Sequence, residues 1–325
     1  MAELVNQFAW SWSRHQTFYE CARKLYWQYY GSWGGWDDDA APDARTAYQL
    51  KHIQSLSMLV GRTFHAVVSD MLHNRSAEPT SVPVGQMQLD MERRLRKKLD
   101  ESRRRDWKRY GRPNRYTNIF EDYYGSGVDD ATRERAIDEL RACVDGFAAT
   151  QIGQRAFRVP RERMLFIDED DFDKKRVTRN GIVVYASPDL VVRDATGGVH
   201  IVDWKTGKEG KASIEQLAAY GLFVAERFGE PVERMTAYLV YARSGRVEPH
   251  ADLAPGSRLA LARMDTYVSD VRGRLTNVDL NLAGDRERFP MTSDLRLCAR
   301  CKFRELCGRM DQPAVAPTGD DDLDP

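Results

Sequence analysis

Two aspartates and a lysine are the residues of this sequence best suited to chemistry. Asp203 and Lys205 stand two apart at the end of an apolar segment that predicts a strand, and Asp189 opens an earlier one. Side chains two apart on a strand point to the same face, so Asp203 and Lys205 share a face. If the glycine-containing turn at 196–198 closes a hairpin, Asp189 lies near Asp203. Two carboxylates and an ammonium then converge at one edge of a sheet.

Neighbouring carboxylates repel each other and favour a hard divalent cation bound through oxygen, such as Mg²⁺ or Mn²⁺. Such a cation activates a water, and Lys205 could orient that water or stabilise charge on a phosphate. A salt bridge between aspartate and lysine on a surface hairpin fits the same residues. The local pattern alone favours neither interpretation.

Two predicted helices add polar residues to this group. Gln216 and Tyr220 are four apart on a helix predicted over 213–228, so they share one face. His65 follows Gly61 by four on a helix predicted over 46–72. Taken alone, His65 is better explained as a partly buried, hydrogen-bonded histidine.

With these motifs in this order, the sequence resembles the PD-(D/E)XK nuclease superfamily, specifically its RecB-like branch. The motifs of that branch stand here as Gly61 to His65, Ser187-Pro188-Asp189, Asp203-Trp204-Lys205-Thr206-Gly207 and Gln216 to Tyr220. Asp203 stands where the wider superfamily more often has Glu, although Asp is usual in the RecB-like branch. Each motif alone is weak, whereas the four together in order form a specific pattern.

The resemblance implies a role for each of these residues. The metal ligands would be three side chains and one main-chain carbonyl, those of His65, Asp189, Asp203 and Trp204. The catalytic group would be Asp189, Asp203 and Lys205, with Gln216 and Tyr220 positioning DNA or Lys205. The implied reaction is Mg²⁺- or Mn²⁺-dependent hydrolysis of DNA, with exonuclease action on single strands or duplex ends.

Four of the five cysteines form a second candidate site. Cys298, Cys301 and Cys307 lie within ten residues, and Cys21 lies far upstream. Three clustered thiolates need a fourth ligand to complete a tetrahedral zinc site or an iron–sulfur cluster. Buried free cysteines are the other interpretation. Cys143 stands apart on the apolar face of a predicted helix, which predicts a small core residue.

The family resemblance favours one of these alternatives. A subset of RecB-like nucleases, including CRISPR-associated exonucleases and bacterial recombination nuclease-helicases, has one cysteine before the nuclease core and three after it. Those four hold a [4Fe–4S] cluster. The resemblance therefore implies that a cluster with a structural role is bound by Cys21, Cys298, Cys301 and Cys307. Zn²⁺ is the alternative occupant.

A strongly basic stretch over 93–115 is a candidate DNA contact. Its arginines and lysines lie near Trp107, Tyr110 and Tyr116, which suits a phosphate track with base stacking. A solvated helix face interrupted by acidic residues fits the stretch equally well. The stretch lies in an insertion outside the family resemblance. The residues predicted to bind DNA are Arg103, Arg104, Arg105, Lys108 and Arg109.

The elements that must position these residues predict an α/β fold. We expect a restriction-endonuclease-like core with a central mixed sheet flanked by helices, plus a helical N-terminal part and a helical insertion. Strands are predicted over 164–167, 182–185, 189–192, 199–202 and 235–241. Helices are predicted over 46–72, 130–150, 213–228 and from an N-cap at Ser13 to Tyr30.

These elements divide the chain into five predicted parts. They are an N-terminal helical part with the first cysteine and the motif histidine (1–72), a basic helical insertion (73–158), the nuclease core (159–245), a C-terminal helical part with three cysteines (246–312) and a disordered acidic tail (313–325).

Composition limits the function classes. The 325 residues carry no formal net charge, so any contact with DNA must come from a local basic surface. Apolar runs are too short to span a membrane, and the first residues lack the features of a signal peptide. We therefore expect a cytoplasmic protein with DNA as its partner and no membrane contact.

Two alternative functions remain open at this point. One is an accessory DNA-end-binding subunit with little activity of its own, partnered with a helicase, a CRISPR integration complex or a defence complex. The intact Asp189, Asp203 and Lys205 argue against an inactive site. The other is a scaffold protein that has no catalytic metal and whose cysteines bind zinc.

Overall fold

The computed structural model describes residues 5–75, 80–207 and 214–317, of which about half are helical. The helices are α1 (Trp12–Glu20), α2 (Ala22–Tyr26), α3 (Pro42–Lys51), α4 (Leu56–Asn74), α5 (Val84–Arg103), α6 (Asp106–Arg109), α7 (Phe120–Tyr123), α8 (Asp130–Ala149), α9 (Gln151–Arg158), α10 (Ile214–Phe228), α11 (Ala254–Arg272) and α12 (Leu295–Ala299). The strands are β1 (Ala9–Trp10), β2 (Ile53–Gln54), β3 (Asn118–Ile119), β4 (Met164–Ile167), β5 (Arg176–Arg179), β6 (Ile182–Tyr185), β7 (Leu190–Arg193), β8 (Val199–Lys205), β9 (Met235–Tyr241), β10 (Arg246–Ala251), β11 (Leu275–Asn277) and β12 (Leu282–Ala283).

A five-stranded sheet carries most of the predicted site residues. Its strand order is β10-β9-β8-β7-β4. β8 and β9 are parallel and the other neighbours are antiparallel, so the sheet is mixed. A second sheet has the order β1-β6-β5, in which β1 and β6 are parallel. The fold is therefore mixed α/β, the class predicted from the sequence.

Alternate residues of β8 face opposite sides of this sheet. Val202 and Trp204 belong to a core shared with α4, α5 and α8, whereas Ile201 belongs to a core shared with α10. Because the alternation continues, Asp203 and Lys205 are on the same side as α10. Helices cover both faces of the sheet, and two of them, α5 and α8, come from the predicted insertion.

The helix predicted from Ser13 to Tyr30 is interrupted, contrary to the sequence prediction. Cys21 has an extended backbone, with φ −162° and ψ 105°, and separates α1 from α2. The N-cap of α1 is Ser11, whose side chain accepts a hydrogen bond from the Arg14 N–H at 3.1 Å. The extended residue ends the first helix, so the cysteine stands between two short helices.

The helix predicted over 46–72 is also divided, into α3 and α4. Between them, β2 pairs in parallel with β3, more than sixty residues later in the chain. Ser55 then caps α4 by accepting a hydrogen bond from the Met58 N–H at 3.3 Å. Pairing with a distant strand overrides a helical pattern that looks continuous in the local sequence.

Most other predicted elements are confirmed within a few residues. The structure confirms the helix predicted over 130–150 as α8, and Cys143 on it is fully buried. β5 was not predicted, because its sequence, Arg-Val-Thr-Arg, has a single apolar residue. The predicted helix start at Ser213 and residues 318–325 of the predicted tail lie outside the described residues. In the described part, no helix is long and apolar enough to cross a membrane.

Candidate active site

His65 lies on α4 and reaches the end of the five-stranded sheet. α4 buries one face, which includes Leu59 and Phe64, so its position against the sheet is fixed by packing. The Nδ1 atom of His65 lies 2.5 Å from Oδ1 of Asp189. The two side chains are therefore hydrogen-bonded to each other. The structure thus brings the predicted histidine and aspartate into contact from widely separated parts of the chain.

Asp189 and Asp203 face each other across the β7–β8 pair. The register sets Leu190 opposite Val202, so the next residues along, Asp189 and Asp203, are opposite each other as well. Both are buried, with exposed fractions of 6% and 3%. The Trp204 main-chain N–H donates to Oδ2 of Asp189 at 2.6 Å. The hairpin between the strands therefore gives the two carboxylates a fixed relationship.

Lys205, Gln216 and Tyr220 connect Asp203 to α10. The Lys205 ammonium lies 2.9 Å from Oδ2 of Asp203 and donates to Oε1 of Gln216 at 3.1 Å. The Gln216 amide donates to the Tyr220 hydroxyl at 3.0 Å, and that hydroxyl donates to Oδ1 of Asp203 at 3.4 Å. These four side chains close a ring of polar contacts, which holds the lysine beside the carboxylate.

Burial and like charge disturb the ionisation of this site. Burial, with the charges of Asp203 and Asp168, raises the pKa of Asp189 to about 6, although His65 opposes the rise. Burial and the charge of Asp203 also raise the pKa of Tyr220 well above its usual value, so its hydroxyl stays protonated. Clustered carboxylates with a raised pKa are typical of functional sites rather than surface ion pairs.

Asp168 is a further acidic residue at this site that the sequence interpretation missed. Its main-chain N–H donates to the main-chain carbonyl of Asp189 at 3.0 Å, so it continues the row of aspartates onto β4. The Lys175 ammonium lies 2.9 Å from its carboxylate, and the Ser187 hydroxyl donates to the same oxygen. An aspartate directly after a predicted strand was the available signal, but its place in the row depends on strand order.

The donors at this end of the sheet fit a divalent cation in their chemistry. Buried facing carboxylates, an imidazole and a main-chain carbonyl are groups that Mg²⁺ or Mn²⁺ accepts. In the described ranges, however, no three His, Cys, Asp or Glu side chains are arranged as a metal site. The carboxylates of Asp189 and Asp203 already have partners: hydrogen bonds join them to His65, the Trp204 N–H and the Tyr220 hydroxyl, and an ion pair joins Asp203 to Lys205. A cation would have to replace some of these donors.

The four predicted cluster cysteines influence one another's ionisation. Burial raises the pKa of Cys301 to about 12, with smaller contributions from Cys307 and Cys21. Burial and the charge of Cys21 also raise the pKa of Cys298 and of Cys307. Within the described chain these thiols do not form a metal-binding arrangement as they stand.

The basic stretch is partly neutralised by ion pairs of its own. Arg103 pairs with Asp130 at 3.0 Å, and Arg104 pairs with Asp106 at 2.9 Å. The other residues predicted to bind DNA are exposed: Arg105, Lys108 and Arg109. The structure therefore leaves a smaller cationic surface here than the sequence suggests.

The chain matches a family of known proteins over most of its length. A search among curated proteins finds no match. The family profile of the PD-(D/E)XK nuclease superfamily matches residues 9–308, a range that includes every residue of the site. A mixed five-stranded sheet with acidic residues at one end is consistent with the core of that family. The chain therefore belongs to the PD-(D/E)XK nuclease superfamily.

Proposed function

We propose that this protein is a metal-dependent DNA nuclease with Asp189, Asp203 and Lys205 as its catalytic group. Membership of the superfamily suggests phosphodiester hydrolysis and implies DNA as the substrate. The observation that carries the proposal is the strand register that sets the two buried aspartates opposite each other, with Lys205 at 2.9 Å from one of them.

The metal-binding residues in this proposal are His65, Asp189, Asp203 and the main-chain carbonyl of Trp204. A divalent cation is typical of the superfamily, and when bound it supplies charge stabilisation and lowers the pKa of a water. The raised pKa of Asp189 supports the proposal, because buried carboxylates that repel each other gain from a nearby cation. His65 and Asp189 would exchange their mutual hydrogen bond for this role.

Lys205 stabilises the negative charge that develops on the scissile phosphate. Its ammonium is held between Asp203 and Gln216, so its position is set before substrate arrives. In the hydrolysis, a water gives up a proton as its oxygen forms a bond to phosphorus, the bond to the leaving sugar oxygen breaks, and that oxygen gains a proton. Gln216 and Tyr220 act as positioning residues, because their contacts reach the reacting groups through Lys205 and Asp203.

A cleavage assay tests this function directly. The intact protein is expected to degrade end-labelled linear DNA with Mg²⁺ or Mn²⁺ and to stop when EDTA is added. Lys205→Ala should lower the rate by about a hundredfold or more. The matched control is Lys174→Ala, which removes an exposed lysine paired with Glu169 at 2.9 Å and should cleave normally. An intact protein that is inactive with every metal would contradict the proposal.

We also propose that the nuclease removes nucleotides from DNA ends, as an exonuclease does. This mode of action follows from the order of the four motifs, which resembles the RecB-like branch. We expect single strands and duplex ends to be degraded, while covalently closed circular duplex DNA survives in the same reaction. Circular duplex DNA that is cut as fast as linear DNA would show endonuclease action instead.

We also propose that Cys21, Cys298, Cys301 and Cys307 bind a [4Fe–4S] cluster, with Zn²⁺ as the alternative. Four thiols suffice for either group, and their mutual effect on pKa supports a shared site. Their raised pKa means that metal binding must displace protons from neutral thiols.

Metal analysis of protein purified without oxygen tests the cysteine site. We expect about four iron atoms per chain and visible absorbance, both lost in Cys298→Ser. Cys143→Ser is the control, because its thiol is buried on α8 away from the proposed site. Stoichiometric zinc without iron would favour the zinc alternative, and neither metal would overturn the proposal.

A further inference from the structure

The face of α4 that borders the catalytic carboxylates extends one turn beyond His65. His65 contacts Asp189 at 2.5 Å, and one turn later the Ser69 hydroxyl donates to the main-chain carbonyl of Asp168. Arg62 stands three residues before His65, which puts it on the same helix face. Its side chain is exposed. Arg62 therefore lies at the rim of the candidate active site.

Lys98 joins Arg62 from the neighbouring helix α5. An ion pair between Arg94 and Asp70, at 2.7 Å, fastens α5 to α4, and Lys98 lies one turn after Arg94. Burial lowers the pKa of Lys98, and the positive charge of Arg62 lowers it further. Arg62 and Asp170, which lies two residues after Asp168, are among the charges that act on the Lys98 ammonium, so Lys98 lies toward the same end of the sheet.

The end of α3 brings more positive charge to the same place. The Lys302 ammonium donates to the main-chain carbonyl of Lys51 at 3.0 Å. Burial, together with the charges of Lys51, Lys302 and Arg62, lowers the pKa of His52 to about 3. The imidazole therefore stays neutral at pH 7. Cations held this close repel each other, and a polyanion bound next to them relieves that repulsion.

We propose that Arg62 and Lys98 form the surface that holds the phosphate backbone of DNA beside the catalytic carboxylates. This inference rests on the proposed nuclease function and identifies a substrate contact of the same site. Two separate helices contribute to it, so the surface exists only in the folded chain. Contacts to phosphate carry no sequence information, and binding should therefore be independent of base sequence.

The test is DNA binding in the Lys205→Ala background, which prevents cleavage. The double variant Arg62→Gln/Lys98→Gln is compared with Arg93→Gln/Lys97→Gln, which removes one arginine and one lysine of α5 whose side chains are each 78% exposed. We expect the first pair to raise the Kd for a fluorescent oligonucleotide about tenfold or more at 0.1 M salt. The slope of log Kd against log salt should fall by about 1.5 to 2, and the control pair should change neither value.

A second double variant that keeps both positive charges distinguishes the effect of lost charge from the effect of disturbed folding. Arg62→Lys/Lys98→Arg should bind as the background protein does. If it binds as weakly as the glutamine pair, or if the glutamine pair binds normally, the inference is overturned. If the glutamine pair binds normally while the wild-type protein cleaves DNA, only the inference about this surface fails and the proposed nuclease function stands. A wild-type protein that neither binds nor cleaves DNA overturns both.

Discussion

Asp189 lies directly opposite Asp203 on the neighbouring strand, and both carboxylates are inside the protein. Two ionised carboxylates buried opposite each other lower the free energy of unfolding unless a cation binds between them. Asp168 adds a third acidic group to the row. A buried row of acidic groups that lowers stability is expected at a functional site.

Replacing Asp189 should separate stability from activity. Because the pKa of Asp189 is raised to about 6 in the folded chain, its ionised form lowers the free energy of unfolding above about pH 6. This loss disappears as the pH falls toward about 4, near the pKa of the same group in the unfolded chain. Asp189→Asn removes this charge at pH 7.5 and keeps an acceptor for the Trp204 N–H. We expect an unfolding free energy in EDTA that is unchanged or up to about 2 kcal/mol higher, with cleavage lowered by about a hundredfold or more. Urea unfolding and cleavage rates measure the two effects, and a variant that loses both together would contradict this account.

Tyr220→Phe should weaken catalysis without disturbing the fold. The change removes the hydroxyl that links Gln216 to Asp203 and leaves the buried ring in place. Because Lys205 keeps its contact with Asp203, we expect kcat to fall by roughly tenfold, about 1.4 kcal/mol, with little change in KM. Tyr238→Phe, on β9, is the matched control and should leave kcat unchanged. An equal loss in both variants would indicate a general effect on the sheet.

The strands of the site were predictable because their residues alternate or run apolar over short segments. β8 is an example, since Ile201, Val202 and Trp204 fill two cores while Asp203 and Lys205 interrupt the pattern at its end. The turn residues at 196–198 indicated the hairpin, and the hairpin set the aspartates opposite each other. Local sequence was sufficient for these features because local sterics determine them.

Long-range pairing was not predictable in the same way. The division of one predicted helix into α3 and α4 depends on β3, and the place of Asp168 depends on β4 lying beside β7. Neither relationship leaves a periodic signal near the residues concerned. Arg62 carried no signal of its own in the sequence, Lys98 lay within the basic stretch over 93–115, and only helix packing brings the two together.

Stability should fall in mild acid because two histidines resist protonation. Burial, with the charge of Arg263, lowers the pKa of His15 to about 4, and burial with neighbouring cations lowers that of His52 to about 3. The unfolded chain binds these protons near pH 6.5 and the folded chain does not, so the unfolding free energy falls as pH drops from about 6.5 toward 4. His52→Gln should reduce the difference in unfolding free energy between pH 7.5 and 5.0 by about 2 kcal/mol. Urea unfolding of both proteins at the two pH values measures it, with His250→Gln as a control; an unchanged difference in the His52 variant would refute the explanation.

Arg304 should be essential for the segment that carries the last three cysteines. Its side chain is only 2% exposed and donates to the main-chain carbonyls of Ala299 at 3.2 Å and Arg309 at 3.1 Å, and to that of Gln312. A guanidinium is well suited to such a role because its planar donors bind several acceptors at once. Arg304→Met fills the space but removes the buried donors to the carbonyls of Arg309 and Gln312, so we expect the unfolding free energy to drop by about 2 kcal/mol or more.

The exposed Arg300 provides the control for this change. Arg300→Met removes the same charge from the same segment and should alter the unfolding free energy by less than about 0.5 kcal/mol. If the cysteines bind metal as proposed, Arg304→Met should also lower the metal content per folded chain, because Cys301 and Cys307 flank the arginine on both sides. Normal stability in Arg304→Met would show that its hydrogen bonds do not hold this segment. Reduced stability with full metal content would show that the cysteines close around the metal without help from Arg304.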